Sequence, residues 1–309
     1  MGLIVVHPGT WSTVQDLGRP GYRSFGVPVS GPCDTWSHGL ANALVANPPE
    51  AATVELTMVG GQFRATTSLA IALAGAAMLA TVERADGRRE CPRIPGSLTL
   101  RPGDQLLLGG CERGLRTYLA VAGGWQAPLV LGSRSSEVPL GAGDCLQAEP
   151  GRIAVRRPCW AEPMQDDAPI RVIGGPDSPT DLHWEGRSFR VATECDRMGL
   201  RLEGPAPEVV AEPERLSGPL AAGAVQVAGG RLLILGVAGG TMGGYPHVAH
   251  VVTADLRRLG QARPGDRIAF RPIPLEEARA LDREDRQRRE DRLLLVRAAA
   301  SDQGPAPAH

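Results

Sequence analysis

The stretch TVQDLGRPGYRSFGVPVSGPCD, residues 13–34, sets an amide, two carboxylates and two guanidinium groups among glycines and prolines. Gln15 and Asp16 precede Gly18, Arg19 follows, and Ser30, Gly31 and Asp34 lie further along. Glycine and proline bend a chain sharply enough to aim such side chains into one small volume. Arg19 could then grip a substrate carboxylate through two parallel hydrogen bonds. The plainer alternative is an Asp16–Arg19 pair that pins the loop to itself.

A second chemical stretch is LGVAGGTMGGYPHVAHVV, residues 235–252. Gly239, Gly240, Gly243 and Gly244 leave backbone N–H groups uncrowded, able to cradle an anion or a developing oxyanion. No Lys-Ser/Thr follows, so the run is not a nucleotide P-loop, and a tight hairpin would demand the same glycines. Tyr245 precedes His247 and His250. At that spacing a strand sends the two imidazoles to opposite faces, which argues against a shared metal.

Three more places carry charge. Arg134 sits between serines in GSRSS, residues 132–136, a reasonable anion-contacting turn without the spacing of a nucleophile elbow. Asp196 and Arg197, in CDRMGLRLEGP, are either a positioning pair or an ordinary surface ion pair, and Met198 beside them is expected to pack. Glu55, in TVELTMVGG, shares a strand face with Thr53 and Thr57 and looks into either a polar cavity or solvent. The six cysteines, at 33, 91, 111, 145, 159 and 195, form no CxxC pair and read as structural. Asp196 makes Cys195 a poor thiolate.

These residues need a scaffold. The chain has 309 residues, 42% of them hydrophobic and only 4% aromatic, so Val, Leu, Ile and Ala must fill the core. A net charge of -1 offers no long-range attraction for nucleic acid. MGLIVVHPG reads as a first strand rather than a leader. LAIALAGAAML, residues 69–79, is too short to cross a bilayer and reads as a buried strand plus turn. A cytoplasmic protein without membrane contact is expected.

Short apolar runs punctuated by Gly, Pro and Asp predict a mainly β chain with a few short helices. LRPGDQLLL (100–108), LGAGDCLQA (140–148) and ARPGDRIAF (262–270) repeat one Gly-Asp turn that leads into a strand. Helices are predicted over 35–45, with Asp34 as N-cap and Gly39 as a weak point, and over 252–260. A third covers 275–297, charge-dense and either solvated on the body or partner-binding. Three parts follow: an N-terminal β-rich lobe, 1–165, a C-terminal lobe, 166–274, and a charged helix with a flexible tail, 275–309. The boundary falls in AEPMQDDAP, residues 161–169.

TVQDLGRPGYRSFGVPVSGPCD, RTYLAVAGG, LGSRS, CDRMGLRLEG, LSGPLAAGAVQV, TMGGYPHVAHVVTADL and QARPGDRIAF, taken in order, resemble the biotin-dependent carboxyltransferase family, which includes allophanate hydrolase subunit 2, KipA and the C subunit of 5-oxoprolinase. The resemblance spans about residues 3 to 272. It implies a two-lobed β fold with cyclophilin-like barrel architecture. It also implies partners like the A and B subunits of 5-oxoprolinase, and conversion of 5-oxoproline, ATP and water to glutamate, ADP and phosphate. The matching positions are Gln15, Asp16, Gly18, Arg19, Ser30, Asp34, Asn42, Glu55, Arg134, Asp196, Arg197, Gln226, Gly243, Gly244 and Tyr245, which become candidates for binding a small amide substrate. No catalytic residue and no metal ligand follows from the match.

This chain departs from the pattern in two places. Many relatives place an acidic residue, Arg and Gln before the Gly-Gly-Tyr-Pro run, where this chain has Val237-Ala238-Gly239-Gly240. Relatives also extend the region after LGSRS. Three functions are weighed. In the first, an ATP-using 5-oxoprolinase complex, Arg19 or Arg134 clamps the substrate carboxylate, N–H groups near Gly243 polarise its carbonyl, and backbone from both halves converges on one polar cavity. The second is a carboxyltransferase acting on urea or a similar amide. Carboxybiotin would then come from another chain, because no Met-Lys-Met biotin acceptor occurs here and no cofactor is bound covalently. The third is a non-catalytic, KipA-like regulator.

Overall fold

In the computed structural model the described residues are 2–158, 168–179, 184, 186–209 and 216–301. The expected boundary at 161–169, Cys159 and most of the C-terminal tail lie largely or wholly outside them. The chain divides into two compact units. One comprises Met1–Gly18, Asp34–Gln165 and Arg289–His309, the other Arg19–Cys33 and Asp166–Arg288.

The first unit holds two antiparallel sheets. The six-stranded sheet runs, in spatial order, Cys145–Gln147, Gly2–His7, Val59–Ala65, Gln105–Cys111, Met78–Glu83 and Arg89–Glu90. The five-stranded sheet runs Trp11–Gln15, Thr53–Thr57, Arg116–Val121, Leu69–Gly75 and Gly96–Leu100. Leu3, Val5, Phe63 and Leu106 of the former meet Val54, Leu56, Ile71, Leu73 and Leu119 of the latter in one core. Strand alternation sends the next residues, among them Ala72, Ala74, Tyr118 and Ala120, to the opposite face, which helix α1, Thr35–Leu44, covers.

The α1 start is fixed by its cap. The Asp34 carboxylate accepts the Trp36 and Ser37 N–H groups at 3.0 and 3.1 Å and the Ser37 hydroxyl at 2.6 Å. Gly39, costly inside a helix by about 1 kcal/mol, has a packing reason. A Cβ there would lie 2.9 Å from Cδ1 of Leu293.

The second unit is built on an eight-stranded sheet in the order Arg267–Ile268, Phe189–Val191, Gly199–Glu203, Arg231–Leu235, Ala224–Ala228, His247–Val251, Ile170–Gly174 and Phe270–Pro272. Its two edge strands, Arg267–Ile268 and Phe270–Pro272, are separated only by Ala269, so the sheet comes back on itself as a near-closed barrel. Phe189, Phe270 and Trp184 fill the interior with Val172, Leu202 and Ile234. A short helix α2, Leu256–Gln261, ends one residue beyond the expected Gly260.

The mainly β expectation therefore stands, with one revision. The last helix, α3, spans Leu275–Ser301, 27 residues, starting where expected and running past the expected end at 297. Its few apolar side chains are its contacts. Ala278 and Leu281 pack with Val252, Ala254 and Ile273, and Leu293 and Val296 pack with Trp36, Leu40 and Leu44. No described helix is long and apolar enough to cross a membrane.

The repeated Gly-Asp turn folds the same way three times. Gly103, Gly143 and Gly265 take φ of 88°, 92° and 93°. Asp104, Asp144 and Asp266 each accept the N–H three residues back, at 2.8, 2.7 and 2.8 Å. Each glycine N–H then docks on a strand, at Ala65, Val5 and Val191.

Candidate functional site

The helix-covered face of the five-stranded sheet is apolar only in part. Thr13, Gln15, Thr53 and Tyr118 are fully buried on it, and Glu55 is 1% exposed. The expectation for Glu55 offered cavity or solvent; the structure gives a closed polar layer. Tyr118 donates its hydroxyl to Oε2 of Glu55 at 2.7 Å and accepts the Asp34 N–H at 2.8 Å. Nε of Arg116, also buried, lies 3.5 Å from Oε1 of Glu55. From α1, His38 reaches Thr53 through Nδ1 and the Pro49 carbonyl through Nε2, both at 2.9 Å. Burial depresses the His38 pKa, against the pull of the Pro49 carbonyl and of the Glu55, Asp16 and Asp34 charges. Asn42 donates to the Ala51 carbonyl at 2.8 Å and lies 3.3 Å from the His38 ring.

Asp16 directly follows the edge strand Trp11–Gln15 and is gripped by the GSRSS turn. Its carboxylate accepts the Ser133 hydroxyl at 2.5 Å, the Ser135 hydroxyl at 2.7 Å, the Arg134 N–H at 2.5 Å and the Gly18 N–H at 2.9 Å. Burial alone would raise its pKa. The four hydrogen bonds outweigh that and hold it below the ordinary carboxylate value. Asp16 is thus pinned by residues 117 to 119 positions away, with Arg134 acting there through its backbone. The Arg134 guanidinium instead meets Gln126 at 3.1 Å. The Gln15 amide nitrogen donates to Thr13 and to the Ser136 carbonyl at 2.9 and 2.7 Å. Ser133 and Ser135 are therefore committed as donors rather than poised as nucleophiles.

In the second unit Arg197, 5% exposed, holds the 19–33 segment. Its guanidinium donates to the Gly31 carbonyl at 2.7 Å, to Ser30 Oγ at 3.4 Å and to Cys33 Sγ at 3.4 Å. Ser30 takes φ of 61°, unusual for a residue with a side chain, and its N–H bonds the Val237 carbonyl at 3.0 Å. The Arg19 N–H closes on the Val29 carbonyl at 2.8 Å. Asp196 plays neither role expected of it. Its carboxylate caps the turn through the Met198 and Gly199 N–H groups at 2.7 and 3.2 Å. Met198, expected to pack, is 59% exposed. The Val237–Gly240 stretch, short of charge, serves through its backbone: Ala238 N–H bonds the Arg197 carbonyl at 3.1 Å.

Gly243 pairs with Gly218 in a two-stranded ribbon, and a Cβ on it would lie 2.4 Å from Leu220 and 3.2 Å from the Gln226 amide. Gln226, buried, donates to the Tyr245 carbonyl at 3.0 Å, while the Tyr245 side chain is exposed. A Cβ on Gly244 would meet only Ser217, at 3.6 Å. His247 and His250 do not face apart. A bulge shifts the register between Val225 and Gln226, and the two rings come within 5.5 Å. Burial, then the neighbouring His247, lowers the His250 pKa to about 4. No group of three metal-capable side chains occurs among the described residues. Cys33, Cys91, Cys111, Cys145 and Cys195 are free thiols. Burial first, then Asp196 and Glu194, pushes the Cys195 thiol up.

Gln15, Asp16, Asp34, Asn42, Glu55 and Arg134 thus fall in the first unit, and Arg19, Ser30, Asp196, Arg197, Gln226, Gly243, Gly244 and Tyr245 in the second. Sequence reasoning missed Tyr118, His38, Arg116, Ser133 and Ser135. The signal for Tyr118 was available, because it stands directly opposite Glu55 in the sheet register.

Known proteins place this arrangement. The family described as "Carboxyltransferase domain, subdomain A and B" matches residues 25–272, and the chain belongs to that family. It is 30% identical to the C subunit of 5-oxoprolinase from Escherichia coli, over 93% of this chain and 96% of that one. It is 31% identical to urea amidolyase of Lachancea kluyveri, over 90% of this chain but 17% of that protein. Among solved structures, TTHA0988 aligns at a TM-score of 0.79 and 37% identity, over 87% of this chain and 56% of that one. The Kluyveromyces lactis urea amidolyase aligns at 0.81 and 28%, over 94% and 20%. The chain therefore spans only a fraction of several of its relatives.

Proposed function

We propose that this chain is the C-type subunit of an ATP-hydrolysing 5-oxoprolinase, acting with A-type and B-type partners to open 5-oxoproline to glutamate. The observation that carries this reading is reciprocal length: the match to the C subunit of E. coli 5-oxoprolinase covers 93% of one chain and 96% of the other. Opening a lactam needs the substrate carboxylate held and the ring carbonyl polarised as negative charge develops. Arg19 and Arg134 are the two candidates for the clamp, and the Arg134 guanidinium meets Gln126 at 3.1 Å. Backbone N–H groups near Gly243 are the candidates for polarisation. The closed polar layer around Glu55 and the caged Asp16 fit a scaffold that fixes geometry rather than one that supplies a nucleophile. Purified together with homologues of the A and B subunits, the chain should support ATP-dependent glutamate release from 5-oxoproline. A complete complex that releases none under saturating ATP would remove this reading.

The family description itself favours a second reading, a carboxyltransferase component acting on urea or a related amide. Carboxybiotin would then be a substrate delivered by another chain. Label transfer from bicarbonate to the amide, dependent on biotin, separates the two.

A further inference from the structure

Arg197 closes a ring of hydrogen bonds around one step of the 19–33 segment. Buried to 5% exposure, it donates from its guanidinium to the Gly31 carbonyl at 2.7 Å and to Ser30 Oγ at 3.4 Å. The Ser30 N–H donates to the Val237 carbonyl at 3.0 Å. The next N–H along, that of Ala238, returns to the Arg197 carbonyl at 3.1 Å. The Arg197 backbone is itself fixed to this stretch. The Met198 carbonyl accepts the Gly236 N–H at 2.8 Å, and a Cβ on Gly236 would lie 2.3 Å from the Arg197 oxygen. Side chain and main chain of one residue therefore grip Ser30 from two directions.

The ring holds a conformation that the chain would not keep by itself. Ser30 and Gly31 take φ of 61° and 86°. Glycine accepts such an angle freely, but a serine there carries a steric cost and persists only where its surroundings over-determine it. One residue earlier, the Val29 carbonyl accepts the Arg19 N–H at 2.8 Å. Arg19 thus hangs on the same frame: the path from the Arg197 guanidinium to the Arg19 backbone is Ser30, Val29 and one hydrogen bond. The loop between Arg19 and Val29, with its 3-10 turn at Arg23–Phe25, begins and ends at that bond. Of the two candidate clamps, Arg19 is the one this frame holds, because Arg134 belongs to the other unit.

We propose that Arg197 is a positioning residue of the substrate site. It fixes the Ser30–Gly31 step and, through Val29, the place from which the Arg19 guanidinium grips the carboxylate of 5-oxoproline by two parallel N–H···O bonds. Arg197 acts through the segment and does not meet substrate. A bound group misplaced by about 1 Å loses much of its effect, so a clamp carried on a loop needs such a brace. This inference rests on the proposed 5-oxoprolinase role and adds to it the clamp and the side chain that sets it.

Arg197→Lys tests it, because lysine keeps the charge but not the planar fork. In the complex with A-type and B-type homologues, the KM for 5-oxoproline should rise about tenfold or more, with kcat changed less than about twofold, because the carboxylate is held alike in ground and transition states. Arg19→Gln should do the same. The double variant should be no worse than Arg19→Gln alone, since both changes remove one contact. Adding Ser30→Gly to Arg197→Lys relieves the step and should recover part of the KM. Effects that multiply in the double variant, or a loss of kcat at unchanged KM, would overturn the positioning role. Should Arg197→Lys fail to fold, Ser30→Ala removes one acceptor and should raise KM about twofold or more; an unchanged KM would overturn the role equally. Acetate, followed at the Arg19 Nε–H resonance of the full chain without partners, separates this inference from the wider reading. Acetate binding about tenfold tighter in the parent than in Arg197→Lys, beside a complex that releases no glutamate, keeps the positioning role and overturns the 5-oxoprolinase reading. Glutamate release with equal acetate affinity in the two chains does the reverse.

Discussion

The Tyr118 hydroxyl lies 2.7 Å from Oε2 of Glu55, and both side chains are sealed between the five-stranded sheet and α1. The same oxygen receives the Asp34 N–H, at the residue that caps α1. One phenol therefore joins a buried carboxylate to a helix start, and neither neighbour has water to fall back on.

Tyr118→Phe keeps the ring and deletes both hydrogen bonds. It removes one hydrogen-bond partner from the Asp34 N–H and one from Glu55. A hydrogen bond lost to a buried group costs about 1–3 kcal/mol, so the unfolding free energy from urea denaturation should fall by that amount, with a lower midpoint and an unchanged m-value. A variant as stable as the parent would show that Tyr118 is not what holds this layer.

Asp16 makes the acid side of the stability curve specific. Its folded pKa lies below the ordinary 3.8 because four donors outweigh the cost of burial. A depressed carboxyl pKa contributes stability that is complete above 3.8 and is lost as pH falls from there through the folded value. Asp16→Asn should flatten thermal stability below about pH 4 relative to the parent, while lowering it at neutral pH because an amide cannot accept four donors. An unchanged acid limb would mean that another group dominates.

How much of this was legible follows from where each signal resides. The α1 cap and the Gly-Asp turns were readable because their partners lie two or three residues away along the chain. The cage around Asp16 was not, because its donors sit more than a hundred positions downstream. The expected separation of His247 and His250 failed because a bulge adds one residue to a strand, which spacing alone does not reveal. Identical local signals also conceal different energies, and two of the Gly-Asp turns show this. Asp144, exposed, caps its turn through the Gly141 N–H at 2.7 Å. Asp104, 1% exposed, also receives Arg84 at 2.7 Å and the Ala85 N–H at 3.0 Å. Asp144→Ala should cost about 0.5–1 kcal/mol, and Asp104→Ala about 3 kcal/mol or more, because it leaves a largely buried arginine without that partner. Equal losses in parallel chemical denaturations would contradict this ranking.

Arg197 poses the same question for the second unit. A planar guanidinium can serve the Gly31 carbonyl, Ser30 Oγ and Cys33 Sγ from one position, and an ammonium cannot. Arg197→Lys keeps the charge, so any loss reports geometry. The 19–33 segment should then be cut faster by protease under native conditions, and the chain should lose about 1.5–3 kcal/mol. Ser30→Gly acts in the opposite sense, because glycine accepts φ of 61° without strain. It should leave the segment at least as resistant as in the parent and recover part of the loss when combined with Arg197→Lys. Cleavage at the parental rate in Arg197→Lys would show that Ser30 and its neighbours hold their conformation without the guanidinium.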